Sequence, residues 1–400
     1  MSSDYLVIAG LRGGKRINVV PAVQPAYKLL ESKAHDGNYW AYLSITCLQG
    51  LASGRLGKGN IFVRSDQLVS NQSEAFCVFL PGCCASMERR ANDEYYLVNL
   101  TIDNSYAQLE SIKQQTGLHK AVKSGGRWET ALYKDGSSDA NDSEIRIAAI
   151  TDSSHSNVES AADNIAASIG KAPDAPSGKN FNVMDVHYTH DKGKLGGLKN
   201  FSKARAPLKN EDIHGSAMLL AKSMIAAKTK KMTWVSEKGG SAVLTQAMRM
   251  VADSNVKLDK HNIYLYDPTT STNEAFKMAH LVGIEPDRDA VKTGMFNYMG
   301  NRDQLPAIFN RYRSEKGYTF GNMVYDSIGQ GGKMQGIVGI GTGILGLAGL
   351  SMGVPAIPMA AAIASVLGVA ATGVSALKIG DTLAENIAPH KYNKHIGKIK

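Results

Sequence analysis

Two serines, a lysine and a pair of glycines stand together in Ser236-Glu-Lys-Gly-Gly-Ser241. They separate an apolar run, Met232–Ser236, from a helical pattern over Ser241–Ala252. A serine hydroxyl attacks an ester only when a base takes its proton and an acid orients that base. Asp267, which follows the apolar run Asn262–Tyr266, is the candidate acid, and His280, in the next helical pattern, is the candidate base. A second chemistry is available to the same turn. Lys238, Gly239 and Gly240 would open a helix, whose first backbone N–H groups lack internal partners and favour an anion.

These residues are placed by a repeating pattern. Asn182–Thr189, Met232–Ser236 and Asn262–Tyr266 read as strands, and Ile213–Ala227, Ser241–Ala252 and Asn273–Val282 as helices. Strand and helix in alternation are the signature of a parallel sheet with helices on its faces. Ligands of such sheets bind beyond the carboxyl ends of the strands, where Lys238 and Asp267 would lie. The segment Thr233–Gln246 resembles the nucleophile elbow of the α/β-hydrolase (lipase) family, Gly-x-Ser-x-Gly, in its apolar strand, glycine pair and long helix. The resemblance implies a phospholipid or other ester as substrate, with Ser241 or Ser236 as nucleophile. Its register stays open. With Gly239 as the closing glycine the nucleophile position holds Glu237, and with Gly240 it holds Lys238. Ser241 fits Gly239-x-Ser, but Val243 then replaces the closing glycine.

His187, His190 and Asp191 stand at another strand end. Side chains alternate along a strand, so His187 and His190 point to opposite faces and no metal site is expected. Gly10-Leu-Arg-Gly-Gly-Lys15 lacks the spacing of a phosphate loop and reads as a turn, so no cofactor is expected either. Cys83 and Cys84 form either a redox pair or a chance neighbourhood. The four cysteines include no Cys-x-x-Cys and suit a reducing compartment.

The chain divides by composition. Residues 1–170 are a β-rich N-terminal region, with strands over Ile61–Val63, Ala75–Leu80 and Tyr95–Thr101. A strand over Glu144–Thr151 and a helix over Ser156–Ile169 follow. Lys171–Asn180, with two prolines and a glycine, reads as a linker. Residues 181–330 form the α/β region, of Rossmann or hydrolase outline. Residues 334–377 form an apolar helical hairpin and 378–400 a basic tail.

Met334–Leu377 contains no Asp, Glu, Lys or Arg, and Pro355 and Pro358 lie near its middle. A helix crosses a bilayer with roughly 18–20 apolar residues, so the run has length for two crossings. Its first half is dense in glycine, which costs a helix in water about 1 kcal/mol per residue relative to alanine but suits close packing in membranes. The run resembles the apolar hairpin of colicin-type pore-forming toxins, which a soluble body shelters until a membrane is met. The net charge is +9, from 45 Lys+Arg against 36 Asp+Glu, which favours anionic surfaces. No arginine–aromatic motif marks nucleic acid as a partner.

The expectation is an α/β protein made in the cytoplasm without a secretory signal. It would be a membrane-targeted bacterial toxin or secreted effector, possessing ester chemistry if the elbow is active. The alternative is a non-catalytic pore-former or membrane-associated binding protein, or an assembly protein that buries the hairpin in an oligomer interface. The expected partners are a lipid bilayer and a chaperone or immunity-type protein that shelters the hairpin.

Overall fold

The computed structural model describes residues 5–54, 61–62, 74–103, 115–142, 144–151, 155–170, 182–190, 207–209, 213–294, 297, 300–301 and 303–331. The hairpin 334–377, the tail 378–400, Asp191 and the 171–180 segment lie outside the described residues. Among the described residues the content is mixed α/β, with eight α-helices and two mixed sheets.

The first sheet takes β1 (Leu6–Ala9), β2 (Ile17–Val19), β3 (Ile61–Phe62), β4 (Glu74–Leu80), β5 (Cys83–Arg89) and β6 (Tyr95–Ile102), in the order β1-β2-β6-β5-β4-β3. Only the β2/β6 pair is parallel. Gly10–Lys15 is the turn between β1 and β2. Helices α1 (Gln24–His35) and α2 (Tyr39–Gly50) cover one face, where Trp40 and Leu48 meet Phe76, Val78 and Leu97. Cys83 and Cys84 are neighbours within β5, so their side chains point to opposite faces of the sheet and they form no thiol pair. Cys83 lies in the core, and burial pushes its thiol up to about 12.

The second sheet is seven-stranded: β7 (Gly117–Ser124), β8 (Arg127–Leu132), β9 (Ile145–Ile150), β10 (Val183–Tyr188), β11 (Lys231–Glu237), β12 (His261–Tyr266) and β13 (Val291–Lys292). Its order is β13-β12-β11-β9-β10-β7-β8. The five strands from β13 to β10 are parallel, and β7 and β8 close one side as an antiparallel hairpin. The sheet pairing crosses the composition boundary at 171–180, since β9 before it pairs with β10 and β11 after it. A proline-rich stretch marks a connection between elements; here the elements it connects belong to one sheet.

Helix α3 (Val158–Ile169) packs on one face against Ile147, Ala149, Val186 and Val235. On the other face lie α4 (His214–Ala226), α5 (Gly240–Asp253) and α6 (Thr272–Leu281), over Trp234, Ile263 and Leu265. α7 (Gln304–Ser314) and α8 (Phe320–Gly331) follow. α4 also joins the two sheets. Its Ala217, Leu220 and Met224 enter the core of the second sheet, while Met218 and Leu219 enter that of the first. Among the described residues no helix is long and apolar enough to cross a membrane.

From β9 the chain moves outward to β10. It then returns past β9 to β11 and continues the other way through β12 and β13. The strand order therefore reverses between β9 and β11. Such a switch leaves a crevice at the carboxyl ends of the two strands, because their following helices lie on opposite faces.

Candidate functional site at the carboxyl edge of the second sheet

The turn from β11 into α5 opens on this crevice. Lys238 has φ +43, in the left-handed region that a side chain makes costly. Its N–H donates to the Tyr266 carbonyl at 3.1 Å, and its own carbonyl accepts from Thr269 N at 3.3 Å, so the turn is fastened to the end of β12. Gly240 then passes directly over β9. A Cβ there would sit 2.2 Å from the Ile150 carbonyl oxygen. Glycine is the residue that fits. The raised residue of the turn is Lys238, with Ser236 and Gly240 two places to either side. This fixes the register that the sequence left open.

Neither serine occupies the raised position. Ser236 is fully buried on β11, and its Oγ has no hydrogen-bond partner. Ser241 is buried in the first turn of α5. Its Oγ donates to the Lys238 carbonyl at 2.7 Å and lies 2.5 Å from Thr270 Oγ1.

Asp267 ends β12 beside Lys238 and also has positive φ, +44. Its Oδ1 accepts from Asn297 Nδ2 at 2.7 Å and from Gly294 N at 3.2 Å. Lys238 is exposed and Asp267 half-buried, and the two form no ion pair with one another. Glu237 points the other way, toward α3, where Ser168 Oγ lies 3.4 Å from its carboxylate.

His280 is not part of this group. It lies in the last turn of α6, eight residues beyond Thr272 where the helix begins. At 1.5 Å per residue that is about 12 Å of helix leading away from the crevice. Its Nε2 lies 2.9 Å from Glu315 Oε1, and Glu315 is gripped by Arg311 Nε at 2.9 and 3.0 Å. The structure thus brings Lys238, Ser241 and Asp267 to one edge and places His280 toward the opposite one.

A serine–histidine contact does exist elsewhere, at a serine that the sequence did not single out. Ser216, in the first turn of α4, has its Oγ 2.9 Å from His187 Nε2 and 2.7 Å from Thr189 Oγ1. Sheet register puts His187, Ile150 and Ser236 in one row across β10, β9 and β11. Burial lowers His187 to about 3, with the nearby His119 adding to the effect. His187 Nδ1 has no partner, so no carboxylate stands behind the ring. An imidazolium formed here would be buried and uncompensated, which makes the ring a poor base near neutral pH. The contact ties α4 to β10. The buried polar alternation Asp185, His187, Thr189 was the sequence signal for it.

His190 meets Thr116 through its backbone N–H and does not converge with His187. Among the described residues no group of three or more His, Cys, Asp or Glu could hold a metal ion.

The helices at this edge differ in how their starts are satisfied. Asp303 fills the start of α6. It accepts from Thr272 N at 3.1 Å, Asn273 N at 3.3 Å, Thr272 Oγ1 at 2.9 Å and the Ser271 hydroxyl. α5 has no side-chain cap and no acidic residue in its first turn. Lys238 stands beside this start, Ser236 and Ser241 are buried, and His280 is bonded to Glu315. Compared with family models, curated proteins and solved structures, the chain matches none.

Proposed function

We propose that this protein is a membrane-associating toxin or effector whose α/β body binds an anionic ligand at the Lys238–Gly240 turn. Its chemistry is binding rather than serine-ester cleavage. The observation that carries the body's part is the register of the turn, in which an exposed lysine is raised at the switch-point crevice while Ser236 and Ser241 are buried. The membrane part rests on the sequence of 334–377, a charge-free run with length for two crossings.

The two halves are tested separately. In the full chain, Leu345→Lys together with Val366→Lys puts a charge into each apolar half, at about 2.5–3.5 kcal/mol per charge in a membrane interior. Wild type should float with liposomes and the double variant should not; equal flotation rejects the hairpin. For the body, inorganic phosphate should protect Lys238 from amine-reactive labelling, and Lys238→Met should abolish phosphate binding. Ester turnover by wild type that is lost in Ser241→Ala or Ser236→Ala would restore the hydrolase reading.

A further inference from the structure

We propose that one proton, held on a chain of Asp185, Tyr133 and Asp139, clasps the 133–140 connection to the second sheet and through it fastens α2 of the first sheet. Loss of that proton opens the clasp. The device does not depend on the Lys238 turn.

Asp185 is fully buried on β10, on the face that α4 and α5 cover. Its partners in register are Lys120 on β7 and Ala148 on β9, and Ala148 lies in the core beneath those helices. Two hydroxyls meet the carboxyl. Ser138 Oγ donates to its Oδ2 at 2.5 Å, and Tyr133 Oη lies 2.9 Å from its Oδ1. The same Tyr133 oxygen lies 2.7 Å from Asp139 Oδ1. A phenol has one proton and donates it to one carboxylate only. The other contact is a hydrogen bond only if the second carboxyl carries a proton of its own.

That carboxyl is Asp185. Asp139 is exposed and paired with Lys120 at 2.5 Å and Arg146 at 3.0 Å. What burial it has would raise it, but Lys120, Tyr133 and Arg146 outweigh this and hold it below the ordinary carboxylate range. Desolvation raises Asp185, and Ser138, Arg146 and Tyr133 do not offset it. Asp185 therefore donates to Tyr133, and Tyr133 to Asp139. The other charged or titratable groups nearby are engaged elsewhere. Lys230 Nζ donates to the Ser138 carbonyl at 2.6 Å, and His187 meets Ser216. On α4, Lys222 acts on Cys47 and His214 meets Gln246.

Tyr133, Ser138 and Asp139 bracket Gly136, which has φ +71 and lies against the first residue of α2. A Cβ there would sit 2.8 Å from the Tyr39 ring. Burial, then the Asp135 charge, pushes Tyr39 up to about 12, so this ring stays neutral while Asp185 titrates. Once Asp185 ionises, two oxygens face each other with no proton to join them, and the loop and its contact with Tyr39 are released. In the open form Asp185 has an ordinary value, about 3.9. The clasp is therefore tightest below that pH and weakens as pH rises toward the raised value of the closed form, by up to about tenfold per pH unit. The buried histidines act with the opposite sign, stabilising the fold as pH rises.

Hydrogen exchange of the full-length protein tests this, read by mass spectrometry on peptides covering 133–140 and 38–42 between about pH 4.5 and 8 and corrected for intrinsic exchange. Wild-type protection in both should fall with pH relative to β11. Asp185→Asn, which puts an N–H where the acid has its O–H, should keep protection high and flat, so its ratio to wild type grows by up to about tenfold per pH unit. Tyr133→Phe should bring protection at the acid end down toward the wild-type alkaline level. Wild-type protection that does not fall relative to β11 overturns the inference, and decides the matter even where a variant does not fold. Asp185→Asn less protected than wild type at every pH shows an ionised Asp185 and overturns it too. A fall confined to 133–140, with 38–42 unmoved, overturns the link to α2.

Discussion

Gly240→Ala tests the feature that sets the register of the site. The added methyl carbon would lie 2.2 Å from the Ile150 carbonyl oxygen, 2.9 Å from its carbon and 3.3 Å from the Thr151 carbonyl carbon. All three are backbone atoms, so no rotamer change relieves the overlap. Either α5 tilts away from the sheet or β9 shifts, and both carry fully buried side chains, among them Ala148, Ile150, Val243 and Leu244. Overpacking a core ordinarily costs about 1–3 kcal/mol, and a clash confined to the main chain of a central strand belongs at the upper end. A loss of about 3 kcal/mol corresponds to a fall in Tm of roughly 6–12 °C for a cooperative unit of this order of size. The assay is thermal unfolding followed by circular dichroism, with Gly50→Ala as its control. Gly50 ends α2 with nothing near its absent side chain, so alanine there should be neutral or stabilise by up to about 1 kcal/mol. If Gly240→Ala melts with wild type, the close approach of α5 to β9 is wrong, and with it the assignment of Lys238 to the raised position.

Ser236→Ala removes a buried hydroxyl that has no partner, so unfolding should show no loss and up to about 1 kcal/mol of gain; a loss of that size would mean that the hydroxyl is satisfied. Lys238→Gly relieves a left-handed side chain costing about 1–2 kcal/mol but loosens the unfolded chain by up to about 1 kcal/mol. Stability should hold or rise slightly while phosphate binding is lost, and marked destabilisation would refute the strain argument. Burial lowers His119 to about 4, His187 to about 3 and His214 to about 4. Below the ordinary 6.5 the unfolded chain therefore binds protons that the folded one refuses. Their contribution is fully present above pH 6.5 and is lost as pH falls toward 4, at up to about 1.4 kcal/mol per unit for each ring. Urea titrations across that range should give a slope that His187→Gln lowers by nearly one proton, and an unchanged slope would show that His187 titrates normally in the fold.

The parts of the fold legible in the sequence are those whose pattern is local. β9 to β12 are buried on both faces and read as short apolar runs, as interior parallel strands do. The hairpin β7–β8 is half polar and offers no apolar run, although Gly125-Gly126 between its strands is a strong two-residue turn signal; both glycines have positive φ. In α4 the apolar face Ile213, Ala217, Leu220 and Met224 was evident, but Met218 and Leu219 were not given a partner. Their partner is a sheet built more than a hundred positions earlier in the chain, and periodicity does not say that a helix serves two cores. The position of His280 has a different origin. Asp267 and His280 are close in sequence, but the helix between them runs back along the sheet, so each further residue increases the distance from the carboxyl edge.

The register of the turn was beyond the sequence because the atom that decides it belongs to another strand. Gly239 and Gly240 are interchangeable as letters; only the Ile150 carbonyl distinguishes them. Once Gly240 is the one held against β9, the raised position falls to Lys238, and the choice between chemistry and binding follows from what that residue can do. A serine there would need a histidine within reach, yet the histidine proposed for it is engaged with Glu315 at the far end of α6. A lysine needs none, because its charge acts directly on an anion. Strained positions persist when the surrounding structure over-determines them and cluster at ligand sites. Here two of them, Lys238 and Asp267, end adjacent strands with opposite charges and without neutralising each other. Glycine would meet the backbone demand at Lys238, while at Asp267 it would also remove the bonds from Asn297 and Gly294. Asp267 is held by Gly294 and Asn297, whereas Lys238 stands exposed, so a variant at Lys238 tests the proposed anion binding with less disturbance of the fold than one at Asp267.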